Sequence, residues 1–244
     1  MNDFYSWGLP VGSIARIRIK LHWLLLVFWL WDLHQVLGTK VPQYRSMLLL
    51  AWAFGAALLF VSILLHELGH CFAARSQGGY ADEVLLWPLG GLAFCDCPKF
   101  WRSHLIVAAA GPAVTLAIVL VSYGAFLLAD PHVGNFLLAH PTALLCYVQA
   151  RHVLVEWSLI IFIFNLIPLY PLDGGRIFHS ILWGFFSREG GYVWGGQARA
   201  GRITLMVSRI TAILGIAYGA AIARDPMLVG LFLWALMGAE TLRE

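Results

Sequence analysis

Apolar residues run through this chain in long blocks, without the 3.6- or 2-residue alternation of elements that keep one face in water. Six blocks stand out, at about 21–38, 46–75, 103–129, 153–172, 203–223 and 226–240. The first five are long enough to cross ~30 Å of hydrocarbon at ~1.5 Å per residue, while the sixth is short enough to tilt little or span incompletely. The pattern predicts an all-α polytopic membrane protein of about six transmembrane helices, one domain over residues 1–244. No A-x-A-like site follows a short apolar core at the N-terminus, and the first block carries Asp32 and His34, so it reads as a retained helix and not a signal peptide.

Composition sharpens this picture. Of 244 residues, 60% are hydrophobic and 12% charged, and the mean hydropathy is +0.77, outside the range of soluble domains. The net charge of +3 is small and the basic residues sit in short clusters, so no face offers the continuous positive field that nucleic acid requires. Their distribution does carry orientation. Arg16, Arg18, Lys20, Arg75, Lys99, Arg102, Arg176, Arg188, Arg199, Arg202 and Arg243 fall on one side of the six-helix reading. Lys40, Arg45, Arg151 and Arg224 fall on the other. Both termini are therefore expected in the cytoplasm, with the chain in the cell membrane.

Within the second block stands "LLHELGHCFAA", residues 64–74, where two histidines and a glutamate interrupt an otherwise apolar run. Ionisable groups inside a bilayer are costly and mark function by default. His66 and His70 are spaced i, i+4, so a helix projects both imidazoles from one face, one turn apart, where they can grip a single zinc ion. Glu67 is turned aside from them, placed to act as a general base on a metal-bound water. With 9 His in the chain, H-E-x-x-H arises by chance only about 0.01 times, so the motif is specific. Helix two enters from the outer side near Ser46, which puts His66 ~30 Å along it and close to the cytoplasmic face.

A catalytic zinc takes three protein ligands and leaves one position open. Asp82, Glu83, Asp96, His104 and Asp173 are the candidates for the third ligand. Asp173 is favoured because helix four also runs inward and delivers it to the same depth. Gly174 and Gly175 are expected to end that helix and free the carboxylate. An aspartate at a helix C-terminus opposes the dipole, which suggests a compensating cation.

"HELGH" at 66–70, "AAAGPAVTL" at 108–116 and "NLIPLYPLDGGR" at 165–176 together resemble the site-2 protease family of intramembrane zinc metalloproteases, over roughly residues 55–185. The resemblance implies a catalytic core of three helices at about 46–185, with helix one and helices five and six peripheral. It implies one Zn2+ per chain held by His66, His70 and Asp173, and Glu67 as catalytic base. Thr115 departs from the pattern, since the family often has Asn there. No loop is long enough for an inserted PDZ-like module, so the chain resembles the compact, six-helix branch without PDZ or CBS domains. A single-pass transmembrane protein, such as an anti-sigma factor or membrane-tethered regulator, is the substrate this resemblance implies, with the lipid bilayer as a further partner and no nucleic acid.

Asn165 is the next intramembrane polar group. The resemblance suggests that it holds the substrate backbone, and helix packing through its amide is the alternative; Pro168 and Pro171 disfavour a straight helix between it and Asp173. The loop "GGYADEVLLWPLGGLAFCDCPKF" has short apolar runs flanking Pro88, Gly90 and Gly91, the pattern of a re-entrant β-hairpin. A strand edge there, with Gly90 and Gly91, could receive an unwound substrate by β-addition; a capping loop over the site is the other reading. Cys71, Cys95, Cys97 and Cys146 lack the paired spacing of a second metal site and read as ordinary thiols. If Cys71, beside His70, is an oxidation-sensitive site, its serine variant resists peroxide better than the parent. Asp32, His34 and Glu156 serve a gate or water path, or interhelical hydrogen bonds and headgroup contact; Trp23, Trp101 and Trp157 read as interface anchors. A polytopic zinc transporter and a proteolytically inactive segment-binding relative are the functional alternatives. The single motif near one face argues against the first, and Glu67 against the second.

Overall fold

The computed structural model describes residues 8–38, 42–88, 90–190 and 193–239. Its four strands are β1 (Gly8–Ile14), β2 (Ile17–His22), β3 (Tyr80–Trp87) and β4 (Gly90–Asp96), and its helices begin with α1 (Trp23–Leu37), α2 (Arg45–Ser76) and α3 (Trp101–Ala139). A further span begins as α4 (Pro141–Arg151) and passes through a wide π-helical turn at His152–Trp157 into α5 (Ser158–Asn165). Then come α6 (Asp173–Gly190), α7 (Val193–Tyr218), widened at Gly219–Ala223, and α8 (Pro226–Ala239).

Among the described residues, four helical segments are long and apolar enough to cross a membrane: 42–76, 101–139, 141–165 and 196–223. The expected six reduce to these four plus two shorter apolar helices, α1 and α8, of 15 and 14 residues. At ~1.5 Å per residue each short helix covers only ~22 Å, less than a hydrocarbon core.

The segment ahead of the first apolar block forms strands. β1 and β2 pair antiparallel across Ala15 and Arg16, both at positive φ, the conformation that a two-residue hairpin turn demands. β2 then pairs parallel with β3, Arg18 opposite Glu83 and Leu21 opposite Leu86, in a sheet ordered β1-β2-β3-β4. The expected hairpin at 84–94 is thus present as β3 and β4, within a larger sheet. Ion pairs from Arg18 to Asp82 and Glu83, both 3.4 Å, and from Lys20 to Glu83, 2.9 Å, lie along the β2–β3 pair. His22, buried at the end of β2, accepts from the Leu24 amide and caps α1.

The described chain divides into two compact units, residues 1–71, 81–95 and 113–162, and residues 72–80, 96–112 and 163–244. In the first, Ile17, Ile19 and Leu21 of β2 and Val84 and Leu86 of β3 pack with Leu64, Leu68 and Cys71 of α2. Asp32 accepts a 2.6 Å hydrogen bond from Trp52, tying α1 to α2. Helix α3 runs ten residues past its expected end. Beyond that end Asp130 accepts from Tyr147 at 2.6 Å and from Arg151 at 3.2 Å, joining α3 to α4.

In the second unit Leu169 and Leu172 pack against Ala212 of α7 and Phe232 and Ala235 of α8. The fourth block is helical only to Asn165, because Pro168 and Pro171 cannot donate the next bonds of the ladder. Residues 166–172 form tight turns instead, with the Leu172 amide bonded to Leu169 O at 2.8 Å and the Tyr170 amide to Ser208 Oγ at 2.9 Å. Asp173 therefore opens a new helix and does not close the old one. Gly174 and Gly175 lie in its first turn, where a Cβ would run into the backbone of Leu166 and Ile167, and of Leu169 and Tyr170. The expected helix C-terminus at Asp173 is overturned, and so is the unfavourable dipole. A carboxylate in the first turn is stabilised by the helix dipole without any cation.

Candidate metal centre

Helix α2 carries His66, Glu67 and His70 on its C-terminal third, in the first unit. All three are buried, at 5%, 6% and 4% exposure, among Leu64, Leu68 and Cys71. The i, i+4 spacing acts as expected: the two rings stand at 76° with centroids 4.9 Å apart, and their Nε2 atoms approach to 3.2 Å. Two ligand nitrogens ~2.0–2.1 Å from a common tetrahedral zinc would lie about 3.3 Å apart. The imidazole pair therefore has the spread that zinc requires.

The second ring nitrogen of His66 is also engaged. Nδ1 lies 2.8 Å from Thr115 Oγ1 on α3, and Thr115 is 2% exposed. Nothing in the sequence predicts this contact, where Thr115 stands out only as a departure from a motif. The sequence held a signal in the single polar side chain of "AGPAVTL", but nothing in it gave the pairing of helices.

The hairpin covers Glu67. A Cβ on Gly91 would lie 2.6 Å from both Cδ and Oε1 of Glu67, so β4 passes against the carboxylate where only a glycine fits. Gly90 sits at φ +139°, with nothing within 4 Å of where a Cβ would be. Gly91 is thus beside the expected base, while Gly90 serves the backbone turn. β4 ends the sheet, and among the described residues no strand pairs with its outer edge.

Asp173 belongs to the second unit, where it is buried at the start of α6. Asn165, half-buried, ends α5 in that unit. The other third-ligand candidates have different occupations. Asp82 and Glu83 pair with Arg18 and Lys20. Asp96 accepts from the Cys97 amide at 2.9 Å, and the His104 ring lies against Trp183, centroids 5.5 Å apart. Burial, and secondarily Asp96, push the Cys97 thiol above its usual range, which suits an inert thiol. Cys71 is fully buried in the core. Among the intramembrane polar groups, Asp32 bonds Trp52, and Glu156 bonds His152 Nδ1 at 2.7 Å, whose Nε2 accepts from Trp157. These are interhelical and intrahelical hydrogen bonds, not a second centre.

A buried H-E-x-x-H pair of imidazoles with an acid alongside defines a class, and comparison with known proteins gives the family. The model of peptidase family M50 matches residues 54–154 and 142–208, and the chain belongs to that family. It is 34% identical over 207 residues to Rip3 of Mycobacterium tuberculosis, covering 82% of this chain and 50% of Rip3. A zinc metalloprotease of Methanocaldococcus jannaschii is 29% identical over 238 residues, 96% of this chain and 60% of that protein. The chain thus spans half to six-tenths of the length of these relatives. Among solved structures, a site-2 protease from Methanocaldococcus jannaschii superposes with a TM-score of 0.62 at 26% identity, covering 98% of this chain and 96% of the other.

Proposed function

We propose that this chain is an intramembrane zinc metalloendopeptidase that hydrolyses peptide bonds within or beside transmembrane segments of other proteins. The observation that carries the reading is the buried imidazole pair of α2, its Nε2 atoms 3.2 Å apart, with Glu67 next to it in sequence. Asp173 is the third ligand in this reading. His66, His70 and Asp173 are each buried, and two imidazoles with one carboxylate are the donor types of a catalytic zinc site that keeps a position open.

Zinc, when bound, supplies Lewis acidity toward the scissile carbonyl and makes water a stronger acid. Glu67 accepts a proton from the attacking water as its oxygen bonds to the carbonyl carbon. It then passes that proton to the amine nitrogen as the C–N bond breaks. Burial of Glu67 against Gly91 keeps bulk water away from the carboxylate and strengthens its electrostatics.

A helical substrate has its peptide bonds satisfied internally and must unwind to be cut. The outer edge of β4, next to Glu67, is suited to receive the unwound stretch by strand addition, with Gly90 and Gly91 leaving room for the substrate backbone. Asn165 offers a further amide for that backbone. The partner is a single-pass membrane protein such as an anti-sigma factor or membrane-tethered regulator, cut on the cytoplasmic side.

The test is cleavage of a generic single-pass substrate by purified protein in detergent, parent against Glu67→Gln, with bound zinc assayed in both. Activity in the parent and its loss in the zinc-retaining variant is the expected outcome. Zinc in both and cleavage in neither, across a panel of membrane segments, would overturn the proposal in favour of binding or transport.

A further inference from the structure

We infer that Thr115 is a positioning residue for the metal: its hydroxyl oxygen accepts the Nδ1 proton of His66 and so fixes the ring in the tautomer that turns Nε2 toward His70 and the ion. The inference rests on the zinc reading above and adds to it a residue outside the motif.

Three observations carry it. First, the two nitrogens of His66 have separate jobs, since Nε2 lies 3.2 Å from His70 Nε2 and Nδ1 lies 2.8 Å from Thr115 Oγ1. An imidazole that gives Nε2 to a metal while neutral must carry its proton on Nδ1, and that proton needs an acceptor. Second, His66 and Thr115 are 5% and 2% exposed, so bulk water does not take the place of Oγ1. Third, the two residues are on different helices, 49 positions apart. The bond therefore fixes the His66 ring against α3, whereas the i, i+4 spacing alone leaves both rings free to turn about their side-chain torsions. A threonine is short and β-branched, with few rotamers, so its oxygen is held where the proton arrives.

The experiment uses the full chain in detergent, stripped of metal and titrated with Zn2+ against a chromophoric chelator, for the parent and for Thr115→Ser, Thr115→Val and Thr115→Ala. Co2+ absorption spectra and metal-free thermal midpoints are measured on the same samples. Partners of ligating histidines typically contribute 10- to 100-fold in metal affinity. The expected result is that Thr115→Val and Thr115→Ala each weaken zinc by about that factor and shift the Co2+ bands. Thr115→Ser, which keeps the hydroxyl and loses only the methyl, stays near the parent.

If the threonine merely fills space, Thr115→Ser groups with Thr115→Ala, and the midpoints of the metal-free proteins fall in step with affinity; that pattern overturns the inference. Equal zinc affinity and equal Co2+ spectra in all four proteins also overturn it, while leaving the zinc centre standing. A parent that takes up no zinc removes the centre itself, and this inference with it.

Discussion

Gly91 is where a single carbon atom would reach Glu67, the proposed base. A methyl there would meet Glu67 Cδ and Oε1 at 2.6 Å, closer than a Cβ carbon approaches a neighbour, so either the carboxylate turns or β4 lifts. Both displace the base by a fraction of an ångström to an ångström, and a misplacement of that size costs on the order of 100-fold in rate. Gly91→Ala is accordingly expected to lower kcat on a membrane substrate by about that factor with its zinc content unchanged, because His66 and His70 lie outside the collision. Gly90→Ala meets no atom but forces an alanine to φ +139°, so it loosens the hairpin turn and leaves Glu67 in place. Measuring kcat and bound zinc on the same preparations separates the two. Parent-like turnover by Gly91→Ala would remove the close approach from the catalytic account.

At the scale of elements, α2 and the hairpin were legible because each announces itself locally. H-E-x-x-H needs only helical spacing, and β3–β4 needs only short apolar runs around Pro88, Gly90 and Gly91. What stayed hidden depends on non-local bonds. β1 and β2 look like a basic tail until Arg18 and Lys20 meet Glu83 and the apolar face of Ile17, Ile19 and Leu21 meets α2. Helix α6 is hidden in the sequence because its first turn holds two glycines. Their function is the close approach of the 166–170 backbone, which no propensity encodes. The same misreading put Asp173 at the wrong end of a helix.

Helix α6 also carries a titration. His179 contacts the Trp183 ring, centroids 6.1 Å apart. Burial first, then the neighbouring His104, hold its pKa below the ordinary 6.5, partly opposed by a hydrogen bond of the ring to the Gln197 backbone. An imidazole with a depressed folded pKa binds its proton more readily in the unfolded chain. The stability it contributes is then complete above pH 6.5 and lost as pH falls from there through the folded value. The thermal midpoint of the parent should decline over that window, and His179→Gln, which cannot titrate, should decline less. A variant with the same pH slope as the parent would show that another group titrates there.

For the molecule as a whole, orientation turns on α1. The Lys and Arg distribution leads to the expectation that both termini are cytoplasmic, and that expectation requires an even number of crossings. The four long segments alone satisfy that, and so do those four with α1 and α8. The two cases differ at the start of α2. If α1 crosses, Arg45 is outside, α2 runs inward, and His66 lies ~30 Å along it, near the cytoplasm. If α1 stays on the cytoplasmic surface, α2 runs outward and the same histidine approaches the far side. Helix α1 has 15 residues, ~22 Å at the standard rise, so crossing demands that the bilayer thin around it, at a modest cost per ångström. The alternative leaves Leu30, Trp31 and Val27, each more than half exposed, against water or headgroups, a larger penalty at ~25 cal/mol per Å2 of apolar surface. The balance favours crossing. Reporter fusions check it: alkaline phosphatase joined after Tyr44 should be active, and a fluorescent protein joined after Gly78 should fluoresce, with the reverse pattern moving the metal centre to the outer face and its products out of the cytoplasm.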